Sequence, residues 1–342
     1  MDKRKNLANF IESLGNYKVG FVQCDILHEL EEILTRNIEQ NFDSNMIKVA
    51  VEDRINPFRY MENAKTILVL AVPYYYDDDS LKKERYVFSR SSWGRDYHHV
   101  VKELLQKVSK YIKDTFNHNS VILSDNHDLD ERFLAYKSGI GHYGKNASII
   151  NDEYGTYFYL GLLITDLPLE EESYTNQDEL VDLCKDCNLC VNACPTDALT
   201  GDKRLDAKKC MSYLTQAKEE IDEPFIKKFQ KYIYGCDICQ IVCPHNKKIE
   251  KTDIHELFTP TGNEKVNPDE LFNLSNRQFK SKYGDLSGSW RGKKVLLRNA
   301  ILIAANNNHE AVIQLAREMD LEKEPEWFKH TVKQILNKRK EQ

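Results

Sequence analysis

The apolar and polar positions in the first half of the chain predict a layered domain. Residues 1–65 are mostly helical in pattern, and TILVLAVPYYY at 66–76 is a continuous apolar run typical of a buried strand. DYHHVVKELLQKVSKYIKDTF at 96–116 has helical spacing, and DLDERFLAYKSG predicts a helix that stops at Gly139. Further short strands are predicted at 120–123, 147–150 and 157–167. Strands that alternate with helices indicate an α/β layer domain up to about residue 168.

The second half of the chain has a different pattern. A polar, acidic connector, PLEEESYTNQDEL, leads into a cysteine-rich region, and the pattern is helical from about residue 255 onward. Two adjacent helical segments near the end suit a small helical-repeat module of HEAT-like type. We therefore predict a multidomain protein that combines α/β and α+β character. Its expected domains are 1–170 (layered), 171–252 (cysteine-rich, with bacterial-ferredoxin-like spacing) and 253–342 (helical).

Composition agrees with a soluble globular protein of several domains, because 41% of the 342 residues are hydrophobic and 30% are charged. The amphipathic N-terminus lacks a signal core, so we expect a cytoplasmic protein. The net charge of −6 is uneven: residues 1–200 hold 22 Lys and Arg against 33 Asp and Glu, and 201–342 hold 26 against 21. A polyanion docking at the basic half would suit this distribution, although solvated helices that differ in charge are the simpler interpretation.

The stretch SGIGHYGKN at 138–146 matches two phosphate-binding motifs in part. Gly139, Gly141 and Gly144 spell G-x-G-x-x-G, and Gly144-Lys145 matches part of a nucleoside-triphosphate loop. A dinucleotide site needs a strand before the glycines and a helix after them, and the predicted order here is inverted. The triphosphate loop needs Ser or Thr where this chain has Asn146. The stretch is therefore either a plain helix-to-strand turn or a loop against another ligand.

Eight of the nine cysteines lie between Cys184 and Cys243 in a pattern typical of two iron–sulfur clusters. The first run is C-x2-C-x2-C-x3-C-P, in which the fourth cysteine binds the other cluster of a two-cluster ferredoxin. The second run is C-x2-C-x3-C-P, with Cys210 upstream as a displaced ligand. One [4Fe–4S] cluster is thus assigned to Cys184, Cys187, Cys190 and Cys243, and the second to Cys194, Cys210, Cys236 and Cys239.

Structural zinc is the alternative use of these cysteines. Zinc sites usually pair two C-x2-C units, and a triple followed by Cys-Pro is not typical of them. Cys24, the ninth cysteine, fits a small buried hydrophobic residue better than a ligand.

Several segments together resemble the epoxyqueuosine reductase family over nearly the whole chain from Arg54. They are SRSSWGRDYHHV (89–100), SDNHDLDERFLAYKSGIGHYGKN (124–146), YGTYFYLGLLITDLPL (154–169), CMSYLTQ (210–216), YGCDICQIVCPHNK (234–247) and SWRGKKVLLRNA (289–300). The resemblance implies a cobalamin- and iron–sulfur-dependent oxidoreductase that removes the epoxide oxygen of epoxyqueuosine at the wobble position of tRNA. It also implies that electrons reach cobalamin through the clusters from an external low-potential donor.

The resemblance assigns the role of proton donor to Asp125. To donate near pH 7, this carboxyl group would need a raised pKa, which an apolar pocket supplies. Without the resemblance, the plainer interpretation is a solvated acid beside Asp128, Asp130 and Glu131.

Further site residues follow from the resemblance. Those expected near cobalamin are Arg54, Ser92, Asp125, Gly139, Gly141, His142, Lys145, Asn146, Ser212, Gln216 and Asn246. Those expected to contact tRNA are Lys247, Lys248, Arg291, Lys293, Lys294 and Arg298, because basic side chains pair with phosphates. Arg298 lies in an apolar helix, so it also fits a structural salt bridge.

Two other classes of protein share parts of this pattern. A small-molecule corrinoid reductase would have the clusters and cobalamin but no need for the basic helical tail. A ferredoxin-type electron carrier would leave about 180 N-terminal residues without a role. No feature demands an oligomer, and we expect a monomer.

Overall fold

The computed structural model describes residues 2–44, 46–76, 83–125, 127–175, 177, 181–247, 249 and 258–339. The strands are β1 (Lys18–Gln23), β2 (Thr66–Pro73), β3 (Val87–Phe88), β4 (Ser120–Leu123), β5 (His142–Tyr143), β6 (Ile149–Ile150), β7 (Phe158–Thr165) and β8 (Tyr232–Tyr234). The helices are α1 (Lys3–Leu14), α2 (His28–Glu39), α3 (Val51–Arg54), α4 (Tyr97–Phe116), α5 (Glu131–Lys137), α6 (Leu189–Ala193), α7 (Met211–Leu214), α8 (Glu223–Ile226), α9 (Ile238–Ile241), α10 (Pro268–Asn273), α11 (Asn276–Tyr283), α12 (Lys293–Asn306), α13 (Glu310–Arg317) and α14 (Glu326–Lys338). None of these described helices has the length and apolar character needed to span a membrane.

Four strands form the central sheet in the order β1-β2-β7-β4, and each neighbouring pair is antiparallel. The apolar run at 66–73 forms β2, which is buried along its whole length. Its successive residues face opposite sides: Ile67 and Val69 join one hydrophobic cluster, whereas Leu68 and Leu70 join another. Helices α2 and α5 contribute to the first cluster and α1 and α4 to the second, so both faces of this strand are covered by apolar groups.

The main predicted elements of this half are confirmed, with two corrections. The apolar run at 66–76 forms a strand over Thr66–Pro73 and then leaves the sheet, the helix predicted at 96–116 spans Tyr97–Phe116, and the helix stop at Gly139, where φ is +74°, is present. The helical pattern at 1–65 missed β1, a six-residue strand held by pairing with the distant β2. The domain is layered as predicted, but α/β in the strict sense implies parallel strands. The antiparallel sheet makes it α+β.

A small second sheet joins the two halves of the chain. Strand β3 pairs in parallel with β8, and Val87 also bridges to Lys265. Phe88 and Trp93 pack in a hydrophobic cluster whose other members, apart from Tyr86 and Val87, come from residues 211–336. The segment before α4 is therefore built into the core of the C-terminal half, and this packing fixes where α4 begins.

The C-terminal part is helical, as predicted. Helix α12 is buried continuously from Val295 to Ala304 and packs against both α13 and α14. A helix with apolar residues on all sides belongs inside a core, so α12 is the centre of this part of the molecule. The HEAT-like character of these helices stays a prediction.

Arg298 and Asn299 on α12 hold the cysteine-bearing segment near Cys210 in place. The guanidinium of Arg298 is fully buried and donates to the carbonyl oxygens of Ala217, at 2.7 Å, and Leu214, at 2.8 Å. Asn299 donates to the carbonyl of Thr215 at 2.7 Å. The predicted contact of Arg298 with tRNA is therefore wrong, because backbone carbonyls inside the core occupy its donors. The alternative structural role is right, with carbonyls in place of a carboxylate partner.

Replacing Arg298 should destabilise the fold strongly. Arg298→Met keeps the length of the side chain but leaves several buried carbonyls without donors, which should lower the free energy of unfolding by roughly 3 kcal/mol. Denaturant unfolding of the purified protein measures the change. Arg317→Met, at an exposed position of α13, is the matched control and should stay within about 0.5 kcal/mol. Equal stability of the two variants would contradict this account of Arg298.

Candidate functional site

Two cavities lie against the cysteine-rich region, and each is lined by four cysteines. The smaller, of about 210 Å³, is lined by Cys184, Cys187, Cys190 and Cys243, together with Pro244 and His245. The larger, of about 340 Å³, is lined by Cys194, Cys210, Cys236 and Cys239. The structure thus brings together the two crosswise sets that the cysteine spacing assigns to two clusters.

The cysteine geometry argues against single zinc ions. All nine cysteines are free thiols. Within the part of the chain that the structure describes, no three His, Cys, Asp or Glu side chains converge closely enough to share one metal ion. Four thiolates around one zinc ion would lie only about 3.8 Å apart, since each Zn–S bond is about 2.3 Å long. Four cysteines around an open cavity fit a larger inorganic group. Cys24 is buried, as predicted for an apolar role.

The glycine loop ends against the cysteines. The backbone of Gly141 lies so close to the carbonyl of Ile150 that an added Cβ would overlap it, which keeps β5 and β6 together. The N–H of Lys145 points to Cys184 Sγ at 3.4 Å, and its Nζ donates to the carbonyl of Lys185 at 2.7 Å. A helix precedes this loop and strands follow it, so the predicted order of elements is confirmed, and it is the reverse of the order in a dinucleotide site.

Asn146 lies between the two cavities and lines both of them. Its side chain is buried, and its Nδ2 has no hydrogen-bond partner among the described residues. A buried amide donor without a partner is costly, and sulfide or thiolate sulfur of a cluster would satisfy it. The residues present therefore fit clusters in these cavities.

The larger cavity also has a mixed lining beyond its cysteines. Apolar contacts come from Ile149, Phe158, Leu160 and Met211, and polar ones from Ser91, Arg132, Ser148 and Ser212. Arg132 is held by a hydrogen bond from Nη1 to the carbonyl of Ala147 at 3.0 Å. A lining that combines apolar side chains with hydroxyl and guanidinium groups fits a large, mainly apolar ligand that carries amide side chains.

Asp125 lies on the turn after β4 and forms an ion pair with a histidine. His98 Nε2 is 2.7 Å from Asp125 Oδ2, and His98 Nδ1 is 2.6 Å from Asp96 Oδ1. Asp96 is the N-cap of α4 and also accepts the backbone N–H of His98 at 3.0 Å. The φ of Asp125 is +60°, a left-handed conformation that aspartate tolerates better than most residues. The start of α4 thus presents a carboxylate–imidazole–carboxylate row.

This row sets the protonation of Asp125. Hydrogen bonding from His98 holds the pKa of the Asp125 carboxyl below its usual value, and burial opposes this only in part. Burial lowers the pKa of His98, but the hydrogen bonds that its ring donates to Asp125 and Asp96 outweigh this effect and raise the pKa to about 9. The raised pKa that Asp125 would need as a proton donor is therefore not a property of the protein without bound ligands. Near neutral pH the proton of this pair resides on His98.

One tyrosine lies beside Asp125 and another is hydrogen-bonded toward the larger cavity. The ring of Tyr97 stacks on that of His98 at 4.1 Å, and its hydroxyl also helps to lower the pKa of Asp125. Tyr234 donates to Gln216 Oε1 at 3.0 Å, and Gln216 Nε2 donates to the carbonyl of Ser212 at 2.9 Å. Gln216 and Ser212 are thus arranged in a line between Tyr234 and the larger cavity, as expected of residues near a cofactor.

Other predicted cofactor residues have structural partners. Arg54 is buried in an ion pair with Asp43 at 3.0 Å. Ser92 is buried and accepts from Ser287 at 3.1 Å, while the adjacent Ser91 lines the larger cavity. Gly139 lies so close to Thr175 that an added Cβ would contact its side chain at 2.9 Å. His142 is hydrogen-bonded to Gln177, and Asn246 donates to the Thr156 hydroxyl. These residues shape the backbone around the site and do not line either cavity.

The predicted tRNA-contacting residues fall into three groups. Lys247 is exposed, and Lys248 lies outside the described residues. Lys293 donates to the carbonyls of Phe272 and Leu274, and Lys294 pairs with Glu324. Arg291 stacks on Trp290 and is half-buried. Lys247 and Arg291 are the residues of this set whose surroundings leave most room for an RNA phosphate.

Sequence reasoning assigned no role to His98, Tyr97, Tyr234 or Arg132. The tripeptide Asp96-Tyr97-His98 at a predicted helix start was a usable signal for the first two, since an N-cap aspartate orients the residues that follow it. Tyr234 and Arg132 reach the site only through long-range packing, which no local pattern indicates.

Comparisons with known proteins agree with this geometry. The family model described as "4Fe-4S double cluster binding domain" matches residues 183–246, and the model described as "Epoxyqueuosine reductase QueG, DUF1730" matches residues 54–125. The chain is similar to the epoxyqueuosine reductase of Bacillus anthracis, with 36% identity over 91% of this chain and 82% of that protein.

Solved structures are similar over almost the whole chain. A crystal structure of epoxyqueuosine reductase with an epoxyqueuosine-modified tRNA-Tyr stem loop has a TM-score of 0.90 and 32% identity, covering 98% of this chain and 89% of that one. A structure of the Bacillus subtilis enzyme, in which an aspartate-bearing catalytic loop is swung out of the active site, has a TM-score of 0.89 and 32% identity. It covers 98% of this chain and 90% of that one.

The effect of a cysteine replacement on cluster content should depend on which cavity the cysteine lines and not on which of the two sequence runs contains it. Cys184→Ala and Cys243→Ala should each remove the cluster of the smaller cavity, because both thiols line it. Cys194→Ala and Cys210→Ala should remove the other cluster. Iron analysis and electron paramagnetic resonance of the anaerobically reconstituted protein measure this. Each variant should lose about half of its iron, with one shared spectrum per pair. A common spectrum for Cys236→Ala and Cys243→Ala would refute the crosswise arrangement.

The ion pair of His98 should make stability depend on pH. The folded-state pKa of about 9 exceeds the unfolded value of about 6.5, so the stabilisation is complete below pH 6.5 and is lost as the pH rises through 9. The lowered pKa of Asp125 keeps its carboxylate ionised at pH 6. The difference in unfolding temperature between wild type and His98→Gln should therefore be largest near pH 6 and should disappear above pH 9.

The control for this measurement is His99→Gln, one residue along the same helix and exposed. It should give a small gap at every pH. The His98 effect should be modest, since His98 and Asp125 remain partly in contact with water. A gap for His98→Gln that stays constant from pH 6 to pH 10 would show that the pair is not ionic.

Proposed function

Since the chain belongs to the epoxyqueuosine reductase family, we propose that it removes the epoxide oxygen of epoxyqueuosine at the tRNA wobble position to give queuosine. The enzyme is an oxidoreductase with a double-cluster 4Fe-4S domain. The observation that carries the reaction is the ion pair of Asp125 and His98, which holds a proton at a pair of side chains that are partly exposed. Removal of the oxygen as water requires two electrons and two protons for each epoxide.

The clusters and cobalamin have separate places in this proposal. The two crosswise cysteine sets would hold the clusters, and the edge of the larger cavity would hold cobalamin through Ser91, Arg132, Ser148 and Ser212. When bound, the clusters supply single electrons and cobalamin supplies the reducing centre that acts on the epoxide. An external low-potential donor would deliver the electrons. Asn146, between the two cavities, would donate a hydrogen bond toward whichever sulfur lies nearest its Nδ2.

Asp125 would give the proton that the opening epoxide oxygen needs. Opening leaves negative charge on that oxygen, and a positioned acid stabilises it. His98 would pass its proton to the Asp125 carboxylate across their 2.7 Å contact. Asp125 would then be protonated, and able to donate, when the epoxide opens. Asp96 holds the far side of the imidazole and fixes the direction of this transfer. The second proton comes from solvent or from the same row after it is recharged.

The substrate would be the anticodon stem-loop of a tRNA, which a similar solved structure contains. The division into a catalytic part (1–170), a cluster part (171–252) and a helical part (253–342) belongs to this proposal. The stem-loop would lie across the last two. Lys247 and Arg291 would meet its phosphates, and the wobble base would turn out of the stack to reach Asp125. A single chain contains every group named here, so the proposed enzyme works as a monomer.

Mass analysis of tRNA nucleosides tests the reaction. The anaerobic protein is supplied with cobalamin, a low-potential reductant and tRNA from a strain that accumulates epoxyqueuosine. We expect the modified nucleoside to lose the mass of one oxygen atom, only when cobalamin is present. No loss, with both clusters and cobalamin confirmed by absorbance, would turn attention to a small-molecule corrinoid reductase.

Asp125→Asn tests the proton donor in the same assay. Loss of an acid contributing about 10²–10⁴-fold should slow turnover by that factor, while cluster and cobalamin absorbance stay unchanged. Asp128→Asn is the matched control in the same loop, because its carboxylate bonds Arg59 and Tyr60 and does not contact His98. Near-normal turnover of Asp125→Asn would rule out its role.

A further inference from the structure

Trp290 is an exposed aromatic side chain with a fixed orientation. It is 61% exposed, the most exposed of the large apolar side chains that the structure describes. Its indole N–H donates to the Tyr234 hydroxyl at 3.1 Å, and the guanidinium of Arg291 lies over its ring at 4.1 Å. Arg291 covers one face of the indole, so the exposed area is mainly the opposite face and the outer edge.

The turn that carries Trp290 is seated tightly on the protein core. The turn spans Ser287–Arg291, and Ser287 donates to Ser92 in the buried segment before α4. A Cβ on Gly288 would come within 2.6 Å of both Phe88 and Tyr234, so the backbone touches these rings directly. An indole on such a support loses little conformational entropy when a ligand stacks on it.

Trp290 is also connected by hydrogen bonds to the larger cavity. Tyr234, which accepts the indole N–H, donates to Gln216 Oε1 at 3.0 Å. Gln216 Nε2 in turn donates to the carbonyl of Ser212, a residue that lines this cavity. Two side chains, Tyr234 and Gln216, thus link the exposed indole to the cavity where the proposed cofactors would bind.

The surroundings of Trp290 select the kind of occupant. Arg291 brings a positive charge, and its Nη2 reaches Met46 Sδ, another exposed apolar side chain, at 4.0 Å. An open flat ring beside a cation fits a flat, polyanionic partner better than an apolar protein surface. Unpaired bases of RNA loops stack on aromatic rings and on guanidinium planes in this way. A similar solved structure contains a tRNA stem loop, which is a partner of this kind.

We infer that the open face of Trp290 is a stacking platform for an unpaired anticodon-loop base next to the nucleotide that enters the site. This rests on the proposed function, because it presumes that the substrate is an RNA loop. Stacking on Trp290 holds the neighbouring base while the wobble nucleotide turns toward Asp125. It thereby positions the substrate without touching the reacting atoms.

Binding of a modified anticodon stem-loop to three variants tests the platform. Trp290→Ala removes the stacking surface and should weaken binding about tenfold. Trp290→Phe keeps an aromatic face and should stay within about threefold of wild type. Ile33→Ala truncates another exposed apolar side chain, on α2, and should bind as wild type does. Cluster absorbance confirms that each variant is intact.

Tryptophan fluorescence gives a second, independent measure. A base stacked on Trp290 should quench its emission, and Trp290→Phe should lose this quenching while it still binds. Stem-loops with a single abasic position then identify the base. At one position, the loss from Trp290→Ala and the loss from the abasic site should not add, because both remove the same contact.

The outcomes separate this inference from the proposed function. If wild type does not bind the stem-loop, the proposed function fails and the inference fails with it. If wild type binds but Trp290→Ala binds equally well, the platform alone is refuted. Tight binding with unchanged fluorescence, or additive losses at every abasic position, also refutes it. A tenfold loss with one coupled position establishes the platform.

Discussion

A buried carboxylate joins the three parts of the chain that make the site. Asp237 lies between the cluster cysteines Cys236 and Cys239 and accepts the backbone N–H of Arg90 with both oxygens, at 3.1 and 2.9 Å. Arg90 in turn donates from Nε to the carbonyl of Tyr76, just beyond β2, and its guanidinium lies 5.1 Å from the ring of Trp93. Removing one partner from such a buried charged arrangement is costly. The central sheet, the segment before α4 and the cluster loop are thereby held in one relation.

The position of the carboxylate–imidazole–carboxylate row follows in part from this arrangement. The segment 86–93 is held by the C-terminal core and by Asp237, so the chain enters α4 at a defined place. Asp96 caps α4 there, and His98 in the first turn of this helix meets Asp125 on the turn after β4. Because α4 packs directly on β4 and β7, this contact depends on how the helix lies against the central sheet. The proposed reaction, which combines reduction with proton transfer, would need this kind of fixed relation between its parts.

The features predictable from sequence were those encoded locally. Eight cysteines at short spacings, a continuous apolar strand and a glycine at a helix end each carry their meaning within a few residues. The misassigned features depend on distant partners. The sequence around Arg298 suggests a surface cation, whereas in the structure its guanidinium donates to the carbonyls of Leu214 and Ala217. Ser92 was predicted to lie near the cofactor, but its neighbour Ser91 is the serine that lines the larger cavity. The two serines lie in a 3₁₀ turn, whose geometry decides which hydroxyl group faces the cavity. Strand β1 owes its pairing to β2, almost fifty residues away.

The protonation of Asp125 shows how the free and bound states differ. In the free protein its side chain is 49% exposed, and water together with His98 stabilises the carboxylate. A nucleotide seated over this opening removes the water, and desolvation raises the pKa of a carboxyl group. Tyr234 does not compete for the proton, since burial raises its pKa to about 12 and its hydroxyl is engaged by Trp290 and Gln216. In the proposed reaction, binding of RNA over Asp125 would therefore move the shared proton from His98 toward Asp125. The carboxyl group would then become an acid only when a substrate is present to accept its proton.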